Sequence, residues 1–181
     1  SVRQDKVNKL VRQKDKERSL GAGLLLQYAV QRYEKEQSKE NSNSSCSGGG
    51  EEVFFTNLDF AFVYEAVQEP TPFTFQYGPY QKPYLKSIPE CYYSLSHSGS
   101  YVLCAIGNCE VGADIQEYKD EKAYLLAKRY FTEEETTNMN QGSEEEKRQN
   151  FYRLWTAKEA YVKLTGRGLG QGLDSFFVDL E

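Results

Sequence analysis

The chain of 181 residues has a net charge of −5, is 39% hydrophobic and 14% aromatic, and includes 14 Tyr and 10 Phe. Rings in that number must bury surface, so the composition excludes an intrinsically disordered chain and provides for one large domain or two small ones. The acidic balance excludes an overall positive field for nucleic acid, and no apolar run approaches the ~20 residues that span a bilayer.

The N-terminal stretch SVRQDKVNKLVRQKDKER is polar throughout and carries no signal-peptide pattern, so a soluble cytoplasmic protein is expected. From Asp5 to about Lys35 the pattern is helical. Val7, Leu10 and Val11 recur at three and four, and Leu20, Leu24, Leu25, Tyr28 and Ala29 make a second set. Gly21 and Gly23 weaken the middle of this helix and mark a bend or a close approach. Residues 37–50, QSKENSNSSCSGGG, have the small, polar, glycine-rich composition of a surface loop or a linker between two lobes.

From Val53 to Tyr84 short aromatic stretches alternate with Pro and Gly, which suits strands and turns. Three strand-like runs follow, Cys91–Leu95, Tyr101–Ile106 and Glu110–Ile115. Ser96-His97-Ser98-Gly99 forms the first turn between them, and Gly107-Asn108 supports a hairpin into the third run. Glu121–Phe131 reads as helix. Thr132 with Glu135, and Ser143 with Glu146, have the spacing of capping boxes. The helix after the second box runs to Thr165 and stops at Gly166. A short strand, Ser175–Leu180, comes last, and with no partner after it the chain is expected to continue. The mixed order of elements predicts an α+β fold. Cys46, Cys91, Cys104 and Cys109 form no C-x-x-C pair, which favours free, mostly buried thiols over metal or disulfide roles.

Three features carry candidate chemistry. In Val111-Gly-Ala-Asp-Ile-Gln116 an extended backbone turns Asp114 and Gln116 to one face. An Asp leaving an apolar run needs water, a partner or a cation, because burying it bare is costly; a bond to nearby loop amides would serve as well. In the helix Phe151–Gly166, Trp155, Glu159 and Lys163 are spaced i, i+4, i+8 along one stripe at the edge of an apolar face. That position raises a carboxylate's proton affinity unless a cation compensates. The alternative is an ordinary Glu–Lys helix pair worth ~0.3–0.5 kcal/mol. His97, the single histidine, sits among serines before Gly99. Hydroxyls, exposed amides and an imidazole suit an anion such as phosphate, although a structural turn histidine would look the same. No G-x-S-x-G elbow accompanies it.

SLSHSG, then GADI, then FYRLWTAKEAYVKLTG, over residues 94–166, resembles the signature of the 4′-phosphopantetheinyl transferases, in the larger, pseudo-dimeric Sfp-type group. Tyr77-Gly78 followed by Lys82-Pro83, and Lys16-Glu17-Arg18-Ser19-Leu20, extend the likeness more weakly toward the N-terminus. The resemblance implies two similar α+β lobes related by a pseudo-twofold axis, divided here as residues 1–95 and 96–181, with family strands absent at both ends. It implies transfer of the 4′-phosphopantetheine arm of coenzyme A to a serine of an acyl or peptidyl carrier protein, with release of adenosine 3′,5′-bisphosphate.

Carried onto these positions, the family pattern implies that Asp114 and Glu159, with Gln116 beside them, hold Mg²⁺ (or Mn²⁺) against the coenzyme A pyrophosphate. Glu159 is implied to be the base, His97 and Ser96 to contact phosphates, Lys163 to stabilise the leaving group and Lys82 to reach the coenzyme. Arg3, Lys6, Arg18 and Ser19 are implied at the nucleotide end. The carrier protein would dock near Lys119–Tyr130. The implied protein is a monomer with no nucleic-acid or membrane partner. One departure stands out: the family's second acid is Gln116 here, and Glu117 points the other way in a regular strand. A non-catalytic relative that binds coenzyme A or a carrier protein is the alternative that this departure motivates.

Overall fold

The computed structural model of the chain describes residues 13–40, 52–57, 67, 72–119 and 123–180. Arg3, Lys6, Cys46 and the helical pattern over residues 5–12 lie outside the described residues, as does most of the expected loop at 37–50. Helix α1 spans Gln13–Glu40. Its buried residues Ala22, Leu25, Leu26, Ala29, Val30 and Tyr33 recur at three and four, which is one face of a helix turned to a core. Two expectations are corrected here. The helix runs through Gly21 and Gly23 without a break and continues past Lys35, so residues 37–40 are helical rather than loop. Leu20, placed in the apolar set, is 45% exposed.

Strands β1 (Glu52–Asn57), β5 (Tyr101–Gly107) and β4 (Tyr92–Ser98) form an antiparallel sheet in the order β1-β5-β4. Leu95 faces Cys104 and His97 faces Val102 across the β4–β5 pair, while Phe54 faces Cys104 from β1. Alternation along β4 turns Tyr93, Leu95 and His97 to the α1 side, where Val102, Cys104 and Ile106 complete the first core. Ser94, Ser96 and Ser98 turn the other way. The turn between the strands is Gly99-Ser100, so Ser96, His97 and Ser98 belong to β4 itself and not to the turn. A separate hairpin pairs β2 (Phe75–Tyr77) with β3 (Pro83–Leu85).

The expected third strand, Glu110–Ile115, is extended but is not a member of a sheet ladder. It runs beside β4 and is held by serine side chains in place of backbone bonds. Beyond it, one 3₁₀ turn (Ala123–Leu126) leads into α2 (Ala127–Tyr130), where one continuous helix was expected. Helix α3 (Glu133–Met139) and helix α4 (Glu144–Thr165) follow. Both capping boxes form as their sequences predict, with Thr132 and Ser143 accepting from the amides of Glu135 and Glu146 and those glutamates bonding back. Gly166 closes α4 at φ 68°, a left-handed cap that favours glycine. The tail expected as a strand from Ser175 to Leu180 is instead a 3₁₀ turn (Leu173–Ser175) followed by irregular chain.

Two cores result, one from Ala22 to Ile106 and one from Ala123 to Leu154, the latter joined by Trp155, Val178 and Leu180. A boundary between residues 95 and 96 would cut β4, and β5 beyond it is bonded to β1; the two cores separate after β5. Among the described residues no helix is long and apolar enough to cross a membrane. Cys91 and Cys104 are buried free thiols. Burial pushes the Cys91 thiol up to about 12 and the Cys104 thiol higher still, so neither is a reactive thiolate.

One charge sits inside the second core. Phe151, Leu154, Lys158 and Val162 make the buried stripe of α4, and Lys158 is 0% exposed. Its ammonium meets Glu135 at 2.7 Å, donates to the Leu173 carbonyl at 2.7 Å and to the Phe176 carbonyl, and lies over the Phe176 ring. Glu135 in turn accepts from the amides of Thr132 and Val178. The network ties α3, α4 and the tail together with its donors and acceptors satisfied. Removing one partner of a buried ion pair leaves the other bare, which costs about 3–5 kcal/mol. Lys158→Met is therefore expected to lower the urea unfolding free energy by about that amount. Adding Glu135→Gln, which removes the bare charge, restores part of it; a double variant no better than the single one would contradict the pairing.

Candidate active site

The site is built where the segment after β5 passes between β4 and α4. Ser94, Ser96 and Ser98 project from β4 at every second residue, and each hydroxyl accepts a backbone amide of the segment. Ala113 N–H donates to Ser94 Oγ at 3.0 Å, Ile115 to Ser96 at 3.3 Å and Glu117 to Ser98 at 3.0 Å. The segment thus runs in step with β4 on serine rungs. On its other side it touches α4 at Gly112. A Cβ there would lie 2.1 Å from the Ala160 carbonyl oxygen and 2.6 Å from the Leu164 amide, so no side chain fits. Backbone against helix at this point brings Asp114 level with the last turns of α4.

Asp114 has a side chain only 3% exposed and uses both carboxylate oxygens. Oδ1 accepts from Lys163 Nζ at 2.6 Å and from the Ser96 hydroxyl at 2.7 Å; Oδ2 accepts from Gln116 Nε2 at 2.8 Å. Lys163 also donates to Ser96 Oγ at 2.8 Å, which completes that hydroxyl with one bond donated and two accepted. Glu159 is half-buried one turn before Lys163. Burial raises its proton affinity above that of an ordinary carboxylate, the charge of Asp114 raises it further, and Lys163 opposes the shift. Glu159 and Lys163 line a cavity of about 510 Å³, whose opposite wall is aromatic, with Phe75 and Tyr77 on β2 and Tyr80 in the hairpin loop.

The residues named from the sequence divide into two places. Ser96, Asp114, Gln116, Glu159 and Lys163 come together. His97 is exposed on the opposite face of β4 from Ser96, the side on which α1 packs. Arg18 of α1 donates to the Gly99 carbonyl at 3.3 Å beside the β4–β5 turn, and its Nε is buried with no partner among the described residues. Ser19 is its neighbour on α1. Lys82 lines the cavity, but its ammonium is engaged by Glu110 at 2.5 Å and by the Leu164 carbonyl at 2.8 Å, which clamps the β2–β3 hairpin to the end of α4. From the sequence, Ser94, Ser98, Gly112 and Lys158 have no site role, and Glu135 has only its capping role. The serine alternation at 94, 96 and 98 is a period-two signal of a polar strand face, and Lys158 falls in the apolar stripe of its helix.

The donor set suits a hard divalent cation. It offers two carboxylates and an amide oxygen, with no sulfur or imidazole, and Mg²⁺ takes few protein ligands while keeping waters. A cation bound here would oppose the rise in proton affinity that burial and, after it, the charge of Asp114 impose on Glu159. Among the described residues no group of three or more His, Cys, Asp or Glu side chains is placed to hold a metal. Any ion held here would therefore complete its shell with Gln116, water and a ligand.

Two outcomes follow from this geometry. A Glu whose folded proton affinity is raised costs stability once it ionises, so stability falls as pH climbs from the ordinary carboxylate value, 4.5, through the higher folded one. Glu159→Gln should be the more stable protein at neutral pH, with the difference vanishing below the ordinary value; thermal melts across pH check this, and a difference of opposite sign would refute it. Gly112→Ala forces the segment off α4 and is expected to cost more than about 2 kcal/mol by urea unfolding, an overpacking penalty with no flexible neighbour to yield.

Comparison with known proteins bears on what this site is. A family model described as the 4′-phosphopantetheinyl transferase superfamily matches residues 110–181, the part that carries Asp114, Glu159 and Lys163. A 4′-phosphopantetheinyl transferase of Bacillus subtilis is 34% identical over 113 residues, 62% of this chain and 50% of that protein. The 4′-phosphopantetheinyl transferase Sfp of Bacillus subtilis strain 168 is 37% identical over 101 residues, 56% of this chain and 45% of Sfp. The 4′-phosphopantetheinyl transferase psf-1 of Bacillus pumilus is 39% identical over 95 residues, 52% of this chain and 40% of its own length. The chain thus spans about half the length of the curated relatives it matches. Over the region that holds its acidic centre, the chain is similar to the 4′-phosphopantetheinyl transferase superfamily and to its Sfp-type members.

Proposed function

We propose that this protein transfers the 4′-phosphopantetheine arm of coenzyme A to a serine of an acyl or peptidyl carrier protein, releasing adenosine 3′,5′-bisphosphate. The observation that carries the reading is the convergence of Glu159, Asp114 and Lys163 beside one cavity, on the part of the chain that matches the family. In the reaction the carrier serine Oγ bonds to the phosphorus that bears the pantetheine. The bond from that phosphorus to the bridging oxygen breaks, and the oxygen leaves on the nucleotide.

Glu159 takes the serine proton, directly or through one water. A carboxylate with raised proton affinity and partial burial is a stronger base than a solvated one, which suits that task. Lys163 lies on the same helix face one turn on, where its ammonium can meet the charge developing on the departing phosphate. Asp114 and Glu159, with the Gln116 carbonyl oxygen after its amide turns over, are the residues that would hold Mg²⁺, or Mn²⁺ in its place. When bound, the ion supplies positive charge to the pyrophosphate oxygens. Arg18 reaches the β4–β5 turn, and its buried unpartnered Nε is consistent with a nucleotide anion there, to which Ser19 and His97 would contribute. A nucleotide that also reached Ser96 would have to straddle β4, which is the edge strand of its sheet.

The two cores are the units that a pseudo-twofold arrangement of lobes would relate. The exposed Leu125 and Leu126 lie in the 119–130 region where a carrier protein would dock, and the exposed Tyr118 stands just before it. A monomer in the cytoplasm, without nucleic-acid or membrane partners, completes the proposal. Glu159→Gln tests it: transfer to an apo carrier protein is expected to fall at least about 100-fold, as for loss of a general base, while coenzyme A affinity changes little. Unchanged turnover would remove Glu159 as the base. Coenzyme A binding without any product in the unaltered protein would favour the non-catalytic alternative.

A further inference from the structure

The partners of Asp114 show what meets its charge when no divalent ion is bound. Its two oxygens receive three donors, and of these three Lys163 alone carries a charge. The same ammonium opposes the shift of Glu159, so it serves both acids at once. Its side chain is 29% exposed against 3% for Asp114, so Lys163 has an open direction to move in and Asp114 does not. Asp114 is further fixed by Ser96 and by the serine rungs beneath it.

We propose that Lys163 is the resident counter-cation of the acidic centre, and that a divalent ion competes with it for Asp114. Metal binding and release of the Lys163 ammonium toward the phosphates are then one event. The inference rests on the transferase reading of this site. Oδ1 already accepts two bonds, from Lys163 at 2.6 Å and Ser96 at 2.7 Å, so a metal can take that oxygen only by displacing a donor. The ammonium is the donor that a second cation repels. Ser96 is retained, because it is held by the Ile115 amide and is neutral. Linkage makes the effect reciprocal: a metal that weakens the Lys163–Asp114 pair binds more tightly when that pair is absent. An anionic phosphate that draws Lys163 outward would tighten the metal by the same route. The sense is counter-intuitive, since neutralising a residue of the reaction centre should strengthen metal binding while transfer is lost.

Mn²⁺ binding to the whole protein without coenzyme A, followed by loss of the free-ion paramagnetic resonance signal, tests this apart from turnover. Lys163→Met and Lys163→Gln are each expected to bind Mn²⁺ more tightly than the unaltered protein by between about 5-fold and 150-fold, the usual range for coupled sites. Lys163→Arg, which keeps the charge, should stay near the unaltered affinity, and Asp114→Asn should lose most of the binding. The two neutral variants differ in length and hydrogen bonding, so a folding defect in one, seen by circular dichroism, leaves the other to decide. Equal or weaker Mn²⁺ binding in the neutral variants, with Asp114→Asn still impaired, overturns the competition and leaves the metal-site reading standing. Binding that Asp114→Asn leaves intact, or no binding by any form, overturns the metal-site reading itself and the inference with it.

Discussion

The ion pair between Lys163 and Asp114 is the contact on which the rest of the site depends. It joins a helix of the second core to a segment stapled onto the first, and its 2.6 Å length requires both to be held in place. The segment is held by what lies on each side. Serine hydroxyls from β4 bind its amides at two-residue intervals, and the absent side chain of Gly112 lets it lie against α4. A regular β ladder would also have held the chain extended. Hydroxyl rungs do so while one of them, Ser96, remains in contact with the carboxylate it positions.

The helix is held by a second charge pair, deep in the other core. Lys158 and Glu159 are consecutive, so they diverge by about 100° around the helix axis. Lys158 is turned inward, where Glu135 and two tail carbonyls consume its donors. That inward bond fixes the rotation of α4 and leaves Glu159 half-buried at the cavity. The serine-capped start and the Gly166 end then set how far the helix extends. Four charged groups on one helix and its neighbours therefore divide into a sealed pair and a pair with one open member. The sealed pair is 0% and 1% exposed, whereas Lys163 is 29% exposed over a buried Asp114 at 3%.

Much of this was legible in the residues. Both capping boxes, the glycine stop at 166, the stripe of Trp155, Glu159 and Lys163, and the common side of Asp114 and Gln116 follow from local chemistry and period, and local rules were obeyed. The failures have a common cause in tertiary contact. Glu110–Ile115 looks like a strand because it is extended and apolar, yet serine hydroxyls of β4, rather than backbone groups, hold it. Gly21 and Gly23 suggest a bend or a close approach, and the helix continues unbroken through them where α1 packs on the sheet. His97 and Ser96 look like one anion-binding pair in sequence, yet strand alternation sends them to opposite faces. Lys82, implied to reach the coenzyme, lines the cavity with its ammonium engaged by Glu110 and a helix carbonyl. In each case a short motif states the residue's chemistry while a distant partner decides how that chemistry is used.

The centre brings a raised-affinity carboxylate and an ammonium to one cavity, with a second carboxylate behind the ammonium, an arrangement that suits the proposed movement of a phosphoryl-linked group. The direct measurement is product analysis after incubating the whole protein with coenzyme A, Mg²⁺ and an apo carrier protein. The account predicts carrier protein bearing the phosphopantetheine mass on its serine, together with adenosine 3′,5′-bisphosphate in equal amount. Unmodified acyl and peptidyl carriers, or coenzyme A cleaved without any mass gained by the carrier, would contradict it.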